Sequence, residues 1–271
     1  MIKITEKEFN QLSAYIRDHY GIFLKKEKKL LVTGRLQNVL MQEGFTNFTD
    51  YYQYVVTDKT GHAVDMLLDK ITTNHTFFMR ESNHFFFFRD TVLPQLKQQI
   101  KDHDLRVWCA GCSTGEEAYT IAMVMDEFLG EDKKYWDAVI LATDISDKVL
   151  RMANRGIYQE EDVRNLPVSW ILKHFLKQGH HQYAVQDSLK KEVIFRRFNL
   201  MEARFPFKKK FHTIFCRNVM IYFDQQTKLE LVKKFYDSLE PGGYLFIGHS
   251  ESLFGLQTGF KYVMPAIYQK Q

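Results

Sequence analysis

Only three cysteines occur in 271 residues. That is too few for a disulfide framework, so the small stapled secreted folds are excluded and a reducing compartment is expected. Long apolar runs are missing too. Runs such as residues 85–88 and 138–142 fall far short of the ~20 residues a membrane-spanning helix needs. The opening Met-Ile-Lys-Ile-Thr-Glu-Lys-Glu is charged, unlike the apolar stretch of a signal peptide. The expectation is a cytoplasmic chain without signal peptide or membrane insertion. Charge of one sign is also scarce: 37 Lys and Arg stand against 33 Asp and Glu, a net charge of +4. Nucleic-acid binding domains are more basic and carry recognisable modules, none of which is present, so nucleic acid is not an expected partner.

What is present is material for a large core, with 45% apolar and 15% aromatic residues. Residues 1–78 read as helices only. Thr5 and Glu8 form a capping box ahead of Phe9, Leu12, Tyr15 and Ile16, and Gly21 supplies the stop. A second helix is predicted over 28–43 with Gly44 as its C-terminal glycine, and segments 47–56 and 63–71 complete a small bundle.

The texture changes at about Arg106. Short apolar runs at 106–109, 138–142, 213–216 and 244–247 look like strands buried on both faces, with helical segments between them. That alternation predicts an α/β domain over 79–271 with a parallel sheet covered by helices. Only about a dozen residues separate the run ending near Ile247 from the last one, 260–268, too few for a crossover helix, so the last strand is expected to be antiparallel. This arrangement resembles the class I methyltransferases more than the nicotinamide-binding domains. His180-His181, Gln182-Tyr-Ala-Val and Val193-Ile-Phe read as an antiparallel ribbon inserted over 175–198.

Three segments carry chemistry. The turn Ala110-Gly-Cys-Ser-Thr-Gly-Glu-Glu117 joins the first strand to a helix, where small residues and free N–H groups let a ligand approach the backbone. It lacks the third glycine of a dinucleotide fingerprint, and its two acids repel a pyrophosphate, whereas Glu117 suits the ribose of a cationic ligand. A plain helix cap is the other reading. Asp144 ends the second strand, where an acid commonly holds a ribose, though an aspartate there also makes turns. Arg217 and Asn218 follow a buried strand, and an arginine in that position calls for an anionic partner or a surface salt bridge. Cys109-x-x-Cys112 matches zinc and redox spacing. A zinc site takes four ligands, however, and Cys216 lies on a different strand, so all three cysteines read as buried small residues and no metal is expected.

Taken in order, Asn74-His-Thr-Phe-Phe-Met-Arg-Glu, Ser113-Thr-Gly-Glu-Glu, Ala142-Thr-Asp-Ile, Phe198-Asn-Leu, Cys216-Arg-Asn-Val-Met-Ile-Tyr-Phe and Gly248-His-Ser-Glu resemble the CheR chemotaxis receptor methyltransferases over nearly the whole chain. The resemblance implies a class I S-adenosylmethionine methyltransferase fold with a small inserted β-subdomain, preceded by an all-α domain. It implies S-adenosylmethionine as cofactor, S-adenosylhomocysteine as product, and the cytoplasmic helices of methyl-accepting chemotaxis receptors as partners of a monomeric enzyme. It places Asn74, Thr76, Arg80, Glu117, Asp144, Asn199, Leu200, Arg217 and Asn218 around the cofactor, and Arg80, Arg217 and Tyr222 beside the transferable methyl. The ribbon lacks the glycine-rich turn by which some members bind a receptor tether, so tether binding is not carried over.

The chemistry suits these residue types. A glutamate carboxylate, with an ordinary pKa of about 4.3, is already ionised at neutral pH and needs no general base. Arg217 is expected to hold it and Tyr222 to orient it. Lys25, Lys26, Lys28, Lys29 and Arg35 crowd near the second helix, with Lys28 and Arg35 on one face, and read as a docking face for an acidic helix or as a solvated surface. A nicotinamide oxidoreductase and a non-catalytic adaptor on the same fold are the competing readings.

Overall fold

The computed structural model describes residues 2–271, which form two compact units. The first runs to Asn74 and includes Tyr222–Lys228. It holds four helices, α1 (Glu6–Tyr20), α2 (Lys29–Gln42), α3 (Phe48–Thr57) and α4 (His62–Ile71). The start and stop of α1 are local. Thr5 accepts from the Glu8 N–H while the Glu8 carboxylate takes the Thr5 N–H, and Gly21 closes the helix in the left-handed conformation at φ 72°. Phe9, Leu12 and Ile16 recur at helical spacing and are buried, as are Leu36, Val39 and Leu40 of α2 and Val64, Leu67, Leu68 and Ile71 of α4. The unit ends four residues before the expected boundary at 78, because α4 stops at Ile71 and residues 72–77 have no regular structure. Tyr222, expected with the sheet, is joined to this unit: its carbonyl accepts from the Phe23 N–H at 2.7 Å.

The second unit holds a seven-stranded sheet and a smaller three-stranded one. The strands are β1 (Val107–Ala110), β2 (Ile140–Asp144), β3 (Ile157–Gln159), β4 (Phe175–Gln178), β5 (Gln182–Val185), β6 (Val193–Arg197), β7 (Phe211–Cys216), β8 (Leu239–Ile247), β9 (Phe260–Met264) and β10 (Ile267–Lys270). The large sheet runs in the order β6-β2-β1-β7-β8-β10-β9. Pairings from β6 through β8 are parallel, and β10 is antiparallel to both of its neighbours. The antiparallel return expected at the end of the chain is therefore present. The segment 260–268 is two strands rather than one, because Pro265-Ala266 turns the chain, with Ala266 at φ 64°. Aromatic rings cover both faces. Trp108 meets Phe198, Phe205, Phe207, Phe211 and Phe235, while Phe215 packs with Phe85, Phe88 and Phe246.

The inserted sheet is β3-β5-β4, antiparallel throughout. It begins at Ile157, earlier than the expected 175. Val193–Arg197 does not belong to it but runs parallel to β2 at the edge of the large sheet, with Ile140 opposite Val193 and Asp144 opposite Arg197. An edge strand is half exposed, so its alternation of buried and exposed residues looks like that of a solvated ribbon. β3 is three residues long, too short to leave a period in the sequence.

Candidate functional site

The chain runs from β1 outward to β2 and β6, then returns to β7 on the other side of β1. The carboxyl ends of β1 and β7 therefore flank the point where the strand order reverses, which is where open α/β sheets bind ligands. The glycine turn leaves β1 at this point. The Gly111 and Cys112 N–H groups donate to the Thr143 carbonyl at 2.7 and 2.9 Å. Gly111 sits at φ 91°, and a Cβ there would lie 2.3 Å from Val219 Cγ2, so both conformation and space demand glycine. The helix Glu116–Leu129 follows. From the inserted sheet, the Tyr158 hydroxyl donates to the Thr114 carbonyl at 2.8 Å and braces the turn.

Asp144 ends β2 and accepts the Ser113 N–H at 2.8 Å and the Ser146 N–H at 3.1 Å. It is thus both a strand-end acid beside the turn and part of what shapes that turn. Asn199 and Leu200 leave β6 next to it, since the Phe198 N–H donates to the Asp144 carbonyl at 2.9 Å. Asn199 Oδ1 accepts the Met201 N–H, and Leu200 is buried.

Glu117, in the first turn of its helix, receives Arg217 Nη1 at 2.8 Å on one oxygen and the Cys109 thiol at 3.2 Å on the other. Burial pushes its carboxyl up, against the pull of Arg217. Arg217 Nη2 donates to Glu81 Oε2 at 3.0 Å and to the Arg80 carbonyl, and its guanidinium lies 5.1 Å from the centre of the Phe85 ring. Burial opposes ionisation of Glu81 as well, but the Arg217 charge and hydrogen bond outweigh it and hold that carboxyl below its ordinary value.

The Arg217 side chain is 1% exposed and its fork is engaged by two carboxylates and a carbonyl. At the end of a buried strand it takes the nearest acids. Arg80 differs. It is half-buried, with Nη1 on the His75 carbonyl at 2.7 Å and its guanidinium 5.9 Å from the centre of the Phe77 ring. Thr76 is half-buried in the same segment. Of the residues expected at the site, Thr76, Arg80, Glu117, Asp144, Asn199, Leu200, Arg217 and Asn218 belong to the sheet unit, while Asn74 and Tyr222 belong to the helical one.

Two acids were not assigned a role from sequence. Glu251 is buried and accepts the N–H groups of Gly248, Asn218 at 2.9 Å and Ile221 at 3.1 Å, holding the loop after β7, where Asn218 is left-handed at φ 59°. Glu81 takes Arg217, Asn218 Nδ2 at 3.3 Å and the His249 N–H at 3.2 Å. Each closes a motif whose other residues drew attention, and that position was the available signal. Glu81, His84 and His249 could hold a metal by proximity alone, but both Glu81 oxygens already receive N–H donors, one of them a guanidinium. The three cysteines are buried and unpaired by disulfides, and burial raises all three thiols well above the ordinary value.

The profile of the CheR methyltransferase SAM binding domain matches residues 74–268, and that of the CheR methyltransferase all-alpha domain matches residues 7–72. The chain belongs to the CheR methyltransferase family. A chemotaxis protein methyltransferase of Borreliella burgdorferi is 43% identical over 272 residues, covering 99% of this chain and 96% of the relative. The chemotaxis protein methyltransferase of Escherichia coli is 33% identical, with 98% and 92% covered. The chemotaxis protein methyltransferase Cher2 of Pseudomonas putida is also 33% identical, with 97% of each covered. A solved methyltransferase from Mesorhizobium loti overlays 59% of this chain and 54% of its own at a TM-score of 0.30 and 16% identity, too loosely to argue from. This CheR-family chain is thus a S-adenosylmethionine-dependent methyltransferase of the chemotaxis type. The acid-rich carboxyl edge, with Glu117 and Asp144 around the glycine turn, fits a cofactor that carries a sulfonium and an ammonium. No helix among the described residues is long and apolar enough to cross a membrane.

Proposed function

We propose that this CheR-family protein methylates glutamate side chains on the acidic cytoplasmic helices of chemotaxis receptors, as a monomeric cytoplasmic enzyme. The products are a glutamate methyl ester and S-adenosylhomocysteine. The observation that carries the reading is the makeup of the sheet's carboxyl edge. Carboxylates and a buried guanidinium gather there, while burial holds the nearby thiols protonated and keeps His84 neutral at a pKa of about 3. The thiols are thus poor nucleophiles and His84 a poor base. A carboxylate substrate requires neither, because its oxygen attacks without losing a proton.

When bound, S-adenosylmethionine supplies an electrophilic methyl on a sulfonium. Glu117 and Asp144 offer carboxylates to its cationic and ribose groups, with Thr76, Asn199, Leu200 and Asn218 lining the site. Arg217 keeps Glu117 and Glu81 paired and oriented. Arg80 is the guanidinium left to meet a carboxylate through charge-assisted hydrogen bonds. Within the helical unit, the Tyr222 hydroxyl donates to the Thr73 carbonyl at 3.3 Å, beside Asn74.

Within the helical unit, Ile22, Leu31, Val32, Lys28, Arg35 and Tyr222 line a small cleft. Its apolar walls with two cations suit an acidic amphipathic helix. The two cations are not equivalent. Arg35 donates to the Lys70 and Ile71 carbonyls and to Thr73, where it closes the C-terminus of α4, whereas Lys28 is exposed with its ammonium 5.9 Å from the Tyr222 ring centre. Incubation with methyl-tritiated S-adenosylmethionine and receptor cytoplasmic fragments tests the function. Base-labile label on receptor glutamates is expected. Cofactor binding without any transfer to receptor would leave an adaptor and sink the proposal.

A further inference from the structure

We propose that Glu81 is a positioning residue of the cofactor site, acting through Arg217 and Asn218. The proposal rests on the S-adenosylmethionine reading of that site and goes one residue beyond it. Glu81 lies in no helix or strand. It and Met79 both adopt left-handed backbone conformations, at φ 56° and 59°, which side chains of these types rarely take. Backbone strain of that kind persists where the surroundings over-determine it, and here the surroundings are the carboxylate's own contacts. One oxygen takes Arg217 Nη2 and the His249 N–H, and the other takes Asn218 Nδ2. These donors sit just beyond the ends of β7 and β8, so a single side chain ties both loops together. Gly248 completes the fit, since a Cβ there would lie 2.4 Å from Asn218 Nδ2.

Glu81 is not needed to neutralise Arg217, because Glu117 does so at 2.8 Å. What Glu81 adds is orientation. A guanidinium held at Nη1 by one carboxylate and at Nη2 by another, with the Arg80 carbonyl on the same nitrogen, has its plane fixed. Through that plane the position of Glu117 is fixed as well, and Asn218 is held at the site by the second oxygen. The fully buried Arg217 Nε has no partner, so the two carboxylates are what orient the head group.

The test is a calorimetric titration of S-adenosylmethionine into the full chain and three variants, with thermal melts choosing a temperature at which each is folded. Glu81→Ala leaves Arg217 and Glu117 as a neutral pair, so no buried charge is stranded. Its affinity is expected to fall about tenfold or more, the effect of losing a charge-assisted hydrogen bond. Glu81→Gln keeps an acceptor for Nη2 and, with the Asn218 amide turned over, both side-chain contacts, so affinity should stay within about threefold of wild type. Glu81→Asp keeps the charge but loses the reach, and should behave as the alanine variant does. A role confined to stability would lower the melting temperature and leave all four affinities alike, which would overturn the proposal. A glutamine variant as weak as alanine would also overturn it, since charge rather than placement would then be what Glu81 supplies. No uptake by the wild-type chain would bring down the cofactor reading and this proposal with it.

Discussion

Replacing Arg217 with methionine puts the buried acid, guanidinium, acid arrangement to a quantitative test. Methionine retains much of the volume and removes the charge. Glu81 and Glu117 are then left facing one another, 14% and 13% exposed, with no counter-charge between them. Removing one partner of a buried ion pair costs roughly 3–5 kcal/mol, because the other charge stays buried. At roughly 2–4 °C per kcal/mol for a chain of this size, the melting temperature at pH 8 should drop by about 6–20 °C. The pH dependence sharpens the test. In the wild type, Glu81 is held below its ordinary value, so its contribution is present above the unfolded-state pKa and lost as pH falls through the folded one. Without Arg217, burial is the dominant influence on both carboxyls and lifts both above their unfolded values. A carboxyl so raised binds its proton more tightly folded than unfolded, so the variant gains stability as pH falls from 8 toward 5. Thermal melts of both proteins at pH 8 and 5.5 should show the deficit narrowing on acidification. A variant that melts with the wild type at pH 8, or a deficit that widens at pH 5.5, would refute the arrangement. Methyl transfer by the variant should be nearly abolished.

The remaining expectations follow from single contacts. Glu117→Ala and Asp144→Ala should each weaken S-adenosylmethionine binding by about tenfold to a hundredfold in calorimetry; Asp144→Ala should also cost about 1–3 kcal/mol in denaturant melts, since the Ser113 and Ser146 N–H groups lose their acceptor. Tyr222→Phe should lower the methylation rate while leaving cofactor affinity unchanged, and full activity in that variant would remove the tyrosine from the mechanism. Lys28→Glu should raise KM for receptor and flatten the salt dependence of methylation, because exposed complementary charges act over a screening length of about 8 Å. An unchanged KM and salt profile would make Lys28 a solvated surface residue.

Much of the architecture was legible because its causes are local. The capping box at Thr5 and Glu8 and the stop at Gly21 need only neighbouring residues, and both occur as read. Continuous burial of β1 shows as an unbroken apolar run, and the short gap before the last strands already required an antiparallel return. The inserted sheet was harder, because β3 is too brief to show a period and β6, half exposed at a sheet edge, mimics a hairpin arm. The acids that pair with Arg217 were hidden for a related reason. Residue type and strand-end position required an anionic partner, but not whether that partner would be a substrate or an acid of the chain.

Sequence alone therefore determined the helical start, the α/β alternation, the glycine turn and, through ordered motifs, the family. Tertiary structure decided which charges meet. Glu81 lies 136 residues from Arg217, and Glu251 lies 33 from Asn218. No periodicity or propensity spans such intervals. Parallel strand order brings the ends of β1, β7 and β8 side by side, and burial then makes each acid seek a donor there. A carboxylate that looks like any surface acid in the sequence thus becomes, once enclosed, one of the contacts that fix the site.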